Sequence, residues 1–341
     1  MKDLLLKLCR REDLTRDEAR NAFLHLMSGE ATEAQIGGML IGLAAKGTTV
    51  DELVGAATVM REKSVPIDCA TGDVILDTCG TGGSKLRATG LFNISTTAAL
   101  IAAAAGVKVV KHGNRSASSK SGSADVLEKL GVVLERTPGQ LATCLEKANI
   151  CFAFARSHHP AMKHVAGART SLGVPTIFNM LGPLSNPAKA RHQLLGVFSP
   201  ELTDRFAQVL RELGSDRAWV VHAEDGLDEL STLGPTRVAE LRDGQVKSWT
   251  LDPAAVGLPY GRLSDLQVNG VDESADAIRR ILDGETGPRR DIALLNAGAA
   301  LVVAGKATDI RAGIATAGIA IDSGRARATL DALVGASNDQ L

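Results

Sequence analysis

The sequence predicts an α/β fold: a small all-helical N-terminal domain followed by a larger α/β domain with a largely parallel central sheet. Two features carry this expectation. Capping boxes recur through the first 67 residues, and from Val74 onward short Val/Ile-rich segments alternate with helical ones. A chain of 341 residues with 45% hydrophobic side chains has ample material for the cores of two domains.

Within residues 1–67, Thr15-x-x-Glu18, Thr32-x-x-Gln35 and Thr49-x-x-Glu52 each place a hydroxyl where it accepts from the third helical N–H. The partner three residues on reaches back to the cap, so each box opens an amphipathic helix. Val65-Pro66-Ile67-Asp68 reads as the linker, and residues 72–341 as the second domain. There the strand patterns fall at 74–77, 107–110, 150–155, 194–198 and 218–222, with helices near 94–105, 121–130, 138–148 and 200–213. Residues 240–249 predict a hairpin turning at Asp243-Gly244, and 288–305 and 308–333 predict a return to helix.

Charge and composition narrow the partners. The net charge of −1 and 3% aromatic content argue against nucleic acid and an anionic membrane surface. The apolar run Ala98–Ala105 is far short of the ~20 residues that cross a bilayer. Leu4-Leu5-Leu6 is interrupted by Lys7 and followed by Arg10-Arg11, which is no export signal. Cysteines at 9, 69, 79, 144 and 151 form no C-x-x-C pair and no metal spacing. Both observations predict a cytoplasmic protein.

The chemistry lies at strand ends. Asp77-Thr78-Cys79-Gly80-Thr81-Gly82-Gly83 follows an apolar strand, and its glycines let backbone N–H groups face an anion. Asn93-Ile94-Ser95-Thr96 opens an alanine-rich helix whose N-terminus is a second anion site. Lys111-His112-Gly113-Asn114-Arg115 ends the next strand and leads into the hydroxyl-rich 116–123, and together these suggest a polyphosphate pocket. A dinucleotide fingerprint is excluded because Lys85 stands where glycine is required and Leu100 where an acid is expected. Gly83-Ser84-Lys85 has the wrong order for a Walker loop.

Two further segments complete the set. The run from Arg169 to Pro187 is too irregular for a long helix and too apolar for a solvated loop, which suggests a crossing between domains. His222 to Glu229 sets carboxylates beyond a strand, where Mg2+ would link them to phosphates; a solvated acidic turn is the alternative. His158, His159 and His164 lack metal-ligand partners at suitable spacing and are assigned packed or capping roles.

Taken in order, Gly80-Thr81-Gly82-Gly83, Asn93-Ile94-Ser95-Thr96, Lys111 to Arg115, Phe178 to Pro187 and Gly226-Leu227-Asp228-Glu229 resemble the anthranilate phosphoribosyltransferases. The resemblance spans residues 3–334 and implies a nucleoside phosphorylase/phosphoribosyltransferase-like fold in which 170–185 return to the helical domain. It implies transfer of ribose 5-phosphate from phosphoribosyl pyrophosphate to anthranilate in tryptophan biosynthesis, with Mg2+, as two ions, and a homodimer formed through the helical domain. Gly80, Gly82, Gly83, Ser84, Asn93, Ile94, Ser95, Thr96, Lys111, Ser119 and Ser123 would hold the donor. Ser95, Asp228 and Glu229 would reach the metal. Gly80, His112, Asn114, Arg169, Gly182 and Pro183 would form the anthranilate pocket, a guanidinium suiting the carboxylate. These are binding roles, with no classical acid or base, because an aniline nitrogen is nucleophilic and the departing pyrophosphate leaves an oxocarbenium-like ribose.

The chain departs from the family in two places. A longer spacer, Ser84 to Phe92, carries Lys85 and Arg87 where the family has an aspartate, and Pro175 stands where relatives commonly have arginine. Three alternatives stay open: a pyrimidine nucleoside phosphorylase, a non-catalytic nucleic-acid-binding relative, and a transferase with shifted donor use. Asn114 paired with Arg169, and Asp228 with Glu229, favour the anthranilate reading over the first, and the retained loops and near-neutral charge over the second.

Overall fold

A computed structural model of the chain describes residues 1–70, 72–84, 86–115 and 121–339. The first 62 residues form α1 (Lys2–Cys9), α2 (Arg16–Met27), α3 (Glu33–Lys46) and α4 (Val50–Glu62). All three capping boxes form: the Thr15, Thr32 and Thr49 hydroxyls accept from the N–H groups of Glu18, Gln35 and Glu52, whose side chains accept in return. Glu52 is fully buried because it also takes the Leu14 N–H at 2.9 Å and the Lys46 ammonium at 3.1 Å. It thereby ties three segments of the bundle together.

The α/β domain is built on a seven-stranded sheet, β1 (Ile75–Gly80), β2 (Lys108–Gly113), β3 (Ile150–Phe154), β4 (His192–Gly196), β5 (Arg217–Ala223), β6 (Thr236–Arg242) and β7 (Gln245–Leu251). The order is β3-β2-β1-β4-β5-β6-β7, with the first five strands parallel and the last two antiparallel. The predicted hairpin turn is present, with both Asp243 (φ 51°) and Gly244 (φ 73°) in the left-handed region that a type I′ turn requires.

Helices cover both sheet faces. α5 (Ile94–Ala104), α6 (Ser123–Lys129) and α7 (Pro138–Ala148) alternate with the first strands. α8 (Ala155–His158), α9 (Lys163–Leu172) and α10 (Phe178–Leu181) carry the chain from β3 towards β4, and α11 (Leu202–Glu212) links β4 to β5. α12 (Leu263–Leu266), α13 (Val271–Leu282), α14 (Pro288–Val303), α15 (Ile310–Asp322) and α16 (Arg325–Asn338) complete the domain. The stretch 308–333, expected as one helix, is two, because Gly324 at φ 75° breaks it.

Each face of the sheet has its own core. One holds α5, α7 and the C-terminal helices. In the other, Phe23, Leu40 and Leu53 of the bundle join Phe178, Leu181 and Leu184 from the 163–184 crossing and Phe206 and Val220 from the sheet side. The crossing is thus part of the apolar seam between bundle and sheet.

Candidate active site

β1 lies between β2 and β4, so the chain leaves neighbouring strands in opposite directions and opens a crevice at their carboxyl ends. A cavity of about 440 Å³ occupies that crevice. Its lining comes from the glycine loop after β1, the end of β2, the start of α6 and the crossing segment.

On the glycine wall, Gly82 (φ 65°) and Gly83 (φ 83°) adopt the left-handed turn that frees backbone N–H groups for an anion. Thr81 anchors this loop to the end of β4: its N–H donates to Gly196 O at 2.9 Å, and its hydroxyl accepts from Phe198 N–H at 3.1 Å. Below it, the first backward bond of α5 is Thr97 N–H to Asn93 O, 3.1 Å. The opening turn of the helix therefore presents its amide ends towards the crevice. Asn93 Oδ1 accepts the Thr96 hydroxyl at 2.7 Å, fixing that turn.

Lys111 is a cation almost fully enclosed, at 2% exposure. Its ammonium donates to Thr78 O and to Ser95 Oγ at 3.3 Å, which aims the charge between the glycine loop and α5. Asp77, next to it in the sheet, accepts from His112 N–H at 3.1 Å and from Asn186 Nδ2 at 2.8 Å. Burial pushes the Asp77 carboxyl up against those bonds. Burial likewise raises the Cys79 thiol well above its ordinary value, so the cysteine in the cavity wall is a neutral thiol.

Asp228 and Glu229 are 1% and 6% exposed, in the turn after β5. The Ser84 hydroxyl donates to Gly226 O at 2.7 Å and so fastens the glycine loop to this turn. Space beside the carboxylates depends on two missing methyl groups. A Cβ on Gly80 would sit 3.3 Å from Asp228 Oδ2, and one on Gly196 would sit 1.7 Å from Asp228 O. Two hard oxygen donors beside a phosphate-type loop fit Mg2+. Among the described residues no group of three or more His, Cys, Asp or Glu converges, so a cation there would need further ligands such as phosphate oxygens or water.

The opposite wall is apolar with fixed polar points. His112 Nδ1 lies 3.0 Å from Gly182 O, and a carbonyl only accepts, so Nδ1 carries the proton. His112 Nε2 then accepts from His159 Nε2 at 3.2 Å. Burial depresses both imidazoles, His112 to about 3 and His159 to about 4, with each ring's neighbouring histidines adding to the effect, so both are neutral near pH 7. Arg169 on α9 stacks over the Phe178 ring, 5.2 Å from its centroid. Burial holds its pKa below the ordinary arginine value.

Of the residues singled out from the sequence, Gly80, Gly82, Gly83, Ser84, Asn93, Ser95, Lys111, Ser123, His112, Asn114, Gly182 and Pro183 line the cavity. Asp228 lies behind Gly80 with Glu229 next to it in the chain, Arg169 stacks on Phe178, and Thr96 sits in the α5 cap. Ile94 is a core residue at 1% exposure. Ser119 and Lys85 lie outside the described residues. The longer spacer is stitched to the α12–α13 region: Val268 N–H donates to Gly90 O at 2.7 Å and Phe92 N–H to Leu266 O at 3.2 Å.

Sequence reasoning missed His159 and Gly196. His159 follows the end of β3 closely, the chain position where parallel sheets collect ligand groups. Gly196 closes a strand pattern, and nothing local marks its contact with a turn thirty residues on.

A helical bundle set against a parallel sheet, with an anion crevice at the switch point, defines a glycosyl transferase architecture. The description "Glycosyl transferase family, helical bundle domain" matches residues 2–64, and "Glycosyl transferase family, a/b domain" matches residues 72–327. The chain is 52% identical over 337 residues to the anthranilate phosphoribosyltransferase of Parvibaculum lavamentivorans, covering 99% of this chain and 97% of that one. It superposes on the anthranilate phosphoribosyltransferase of Thermus thermophilus with TM-score 0.91 at 43% identity, covering 98% and 99% of the two chains. The Saccharomyces cerevisiae enzyme in complex with PRPP and Mg gives TM-score 0.88 at 27% identity, with 99% and 98% covered; in complex with 4-fluoroanthranilate it gives 0.86 at 26%, with 98% and 96% covered. The chain belongs to the anthranilate phosphoribosyltransferase family.

Proposed function

We propose that this protein transfers the 5-phosphoribosyl group of phosphoribosyl pyrophosphate to the amino group of anthranilate, releasing pyrophosphate, in the synthesis of tryptophan. The observation that carries the reading is the single crevice that joins an anion-binding loop and helix end to an apolar wall backed by a stacked arginine.

The donor lies along Gly80, Gly82, Gly83, Ser84, Asn93 to Thr96, Lys111, Ser119 and Ser123, with backbone N–H groups and the Lys111 ammonium meeting phosphate charge. The acceptor lies between Gly80, His112, Asn114, Gly182 and Pro183, its carboxylate answered by Arg169. Asp228 and Glu229, with Ser95, would hold Mg2+, as two ions. When bound, Mg2+ would supply positive charge opposite the pyrophosphate leaving group. Neutral His112 and His159 are weak bases at about 3 and about 4, which suits a reaction that needs orientation rather than proton removal before attack.

The helical unit, residues 1–67 with 170–185, and the unit spanning 72–341 close over the two substrates. The protein acts in the cytoplasm as a homodimer joined through the helical unit. No helix among the described residues is long and apolar enough to cross a membrane.

The test follows loss of anthranilate fluorescence with phosphoribosyl pyrophosphate and Mg2+, against a control lacking the donor. Donor-dependent loss, weakened in Arg169→Ala chiefly through KM for anthranilate, is the expected result. No loss across a range of donor and metal concentrations overturns the assignment.

A further inference from the structure

We infer that Gln193, buried directly behind the cavity lining, is a positioning residue that sets the anthranilate pocket by holding the Pro183 carbonyl. The inference rests on the proposed function, because it assigns Gly182 and Pro183 to the acceptor wall.

Three consecutive carbonyls of the crossing segment are each taken by a side chain from a different part of the molecule. His112 on β2 donates to Gly182 O at 3.0 Å, Gln193 on β4 to Pro183 O at 2.8 Å, and Arg61 on α4 to Leu184 O at 2.7 Å. A one-turn 3-10 segment has few internal bonds, so these external donors define its position. His112 itself lines the cavity, and Arg61 also carries Leu213 O at 3.1 Å, so each has a second duty. Gln193 does not touch the cavity. Its side chain is fully buried in the sheet, level with Asp77 on one side and Ala218 on the other.

The chemistry of this amide is unusual for a purely structural group. A carbonyl only accepts, so the NH2 end must face Pro183. Nε2 has Cys79 Sγ as a second, weak acceptor at 3.9 Å, and Oε1 is buried with no hydrogen-bond partner among the described residues. A leucine or methionine would avoid that unsatisfied oxygen, which ordinarily weighs against burying an amide. What the amide supplies that they lack is the donor to Pro183 O. Pro183 forms the cavity wall, so Gln193 fixes how far that wall stands from Gly80 across the crevice.

The experiment compares wild-type protein, Gln193→Met and Gln193→Glu in steady-state assays with each substrate varied. Methionine keeps the volume and removes the donor. The expected result is a rise of about tenfold in KM for anthranilate, equivalent to about 1.4 kcal/mol, with KM for phosphoribosyl pyrophosphate and kcat within about twofold of wild type. Glutamate supplies an independent readout should the methionine variant misfold. Ionised, it faces Pro183 O as a second acceptor; protonated, its O–H donates there. Its anthranilate KM, relative to wild type in the same buffer, therefore falls as pH is lowered from about 8.5 to about 6.5. An unchanged anthranilate KM in folded Gln193→Met, or a glutamate variant whose relative KM rises as pH is lowered, overturns the inference while leaving the transferase reading intact. Wild-type protein that consumes no anthranilate overturns that reading and the inference with it.

Discussion

Gly196→Ala replaces one hydrogen by a methyl group in the middle of the sheet, outside the cavity lining. Gly196 pairs with Gly80 on β1 and Val221 on β5, and its φ lies outside the left-handed region, so alanine meets no backbone objection there. The obstacle is steric: the new Cβ would lie 1.7 Å from Asp228 O and 2.6 Å from its carbonyl carbon, where ordinary contact begins at 3.4 Å. The Asp228 turn must therefore retreat by about 1.7 Å, roughly the difference between those distances, and carry its carboxylate with it. Misplacing a reacting or binding group by about 1 Å costs on the order of 10²-fold in rate. The added strain of an overpacked site is about 1–3 kcal/mol, a Tm loss of several degrees. We expect kcat/KM for phosphoribosyl pyrophosphate to fall about 10²-fold and the Mg2+ needed for half-maximal rate to rise. The assay is a Mg2+ titration at fixed substrates, with Gly234→Ala as control because a methyl there meets nothing within 4 Å. A folded Gly196→Ala protein with wild-type kinetics and Mg2+ dependence would refute the coupling between strand β4 and the carboxylate turn.

Asp228→Asn keeps the volume and removes a charge, so the Mg2+ requirement is expected to rise at least about tenfold while KM for anthranilate moves little. Asn186→Leu strips Asp77 Oδ2 and Val110 O of their 2.8 Å donors and leaves a buried carboxyl short of a partner; urea denaturation should show a loss of about 3 kcal/mol. The two buried histidines, depressed to about 3 and about 4 from 6.5, bind protons in the unfolded chain before the folded one. Stability should therefore be full above about pH 6.5 and decline as pH falls towards 4, and Tm measured from pH 8 to 5 should fall less steeply in His112→Asn/His159→Asn.

Much of this architecture is legible in the chain because its signals are local. Thr15, Thr32 and Thr49 announce their helices within four residues, and Asp243-Gly244 encodes its turn in two. The cavity's glycine wall is legible once Lys111 to Arg115 at the next strand end is read with it, since the glycines alone would equally serve a tight turn. Contacts made across the fold leave no such trace. Nothing near His159 shows that its ring meets His112, and Gly196 is constrained by a carbonyl from another loop. The end of the chain illustrates a different failure: Ser323 and Gly324 interrupt a periodic apolar pattern that continues on both sides, so the period hides the break.

Arg61 has a consequence for how such proteins are recombined. Burial brings its pKa down to about 10, yet it remains a cation whose guanidinium is shared between Leu184 O and Leu213 O, at the ends of the crossing segment and of α11. The unit that must be exchanged intact is therefore discontinuous in sequence. A hybrid gene joined in the linker after residue 64 would import a bundle from one parent and the carbonyls it grips from the other. Grafts that carry residues 1–64, 163–187 and the α11 end at Leu213 from the same parent should melt at a higher temperature than single-junction hybrids.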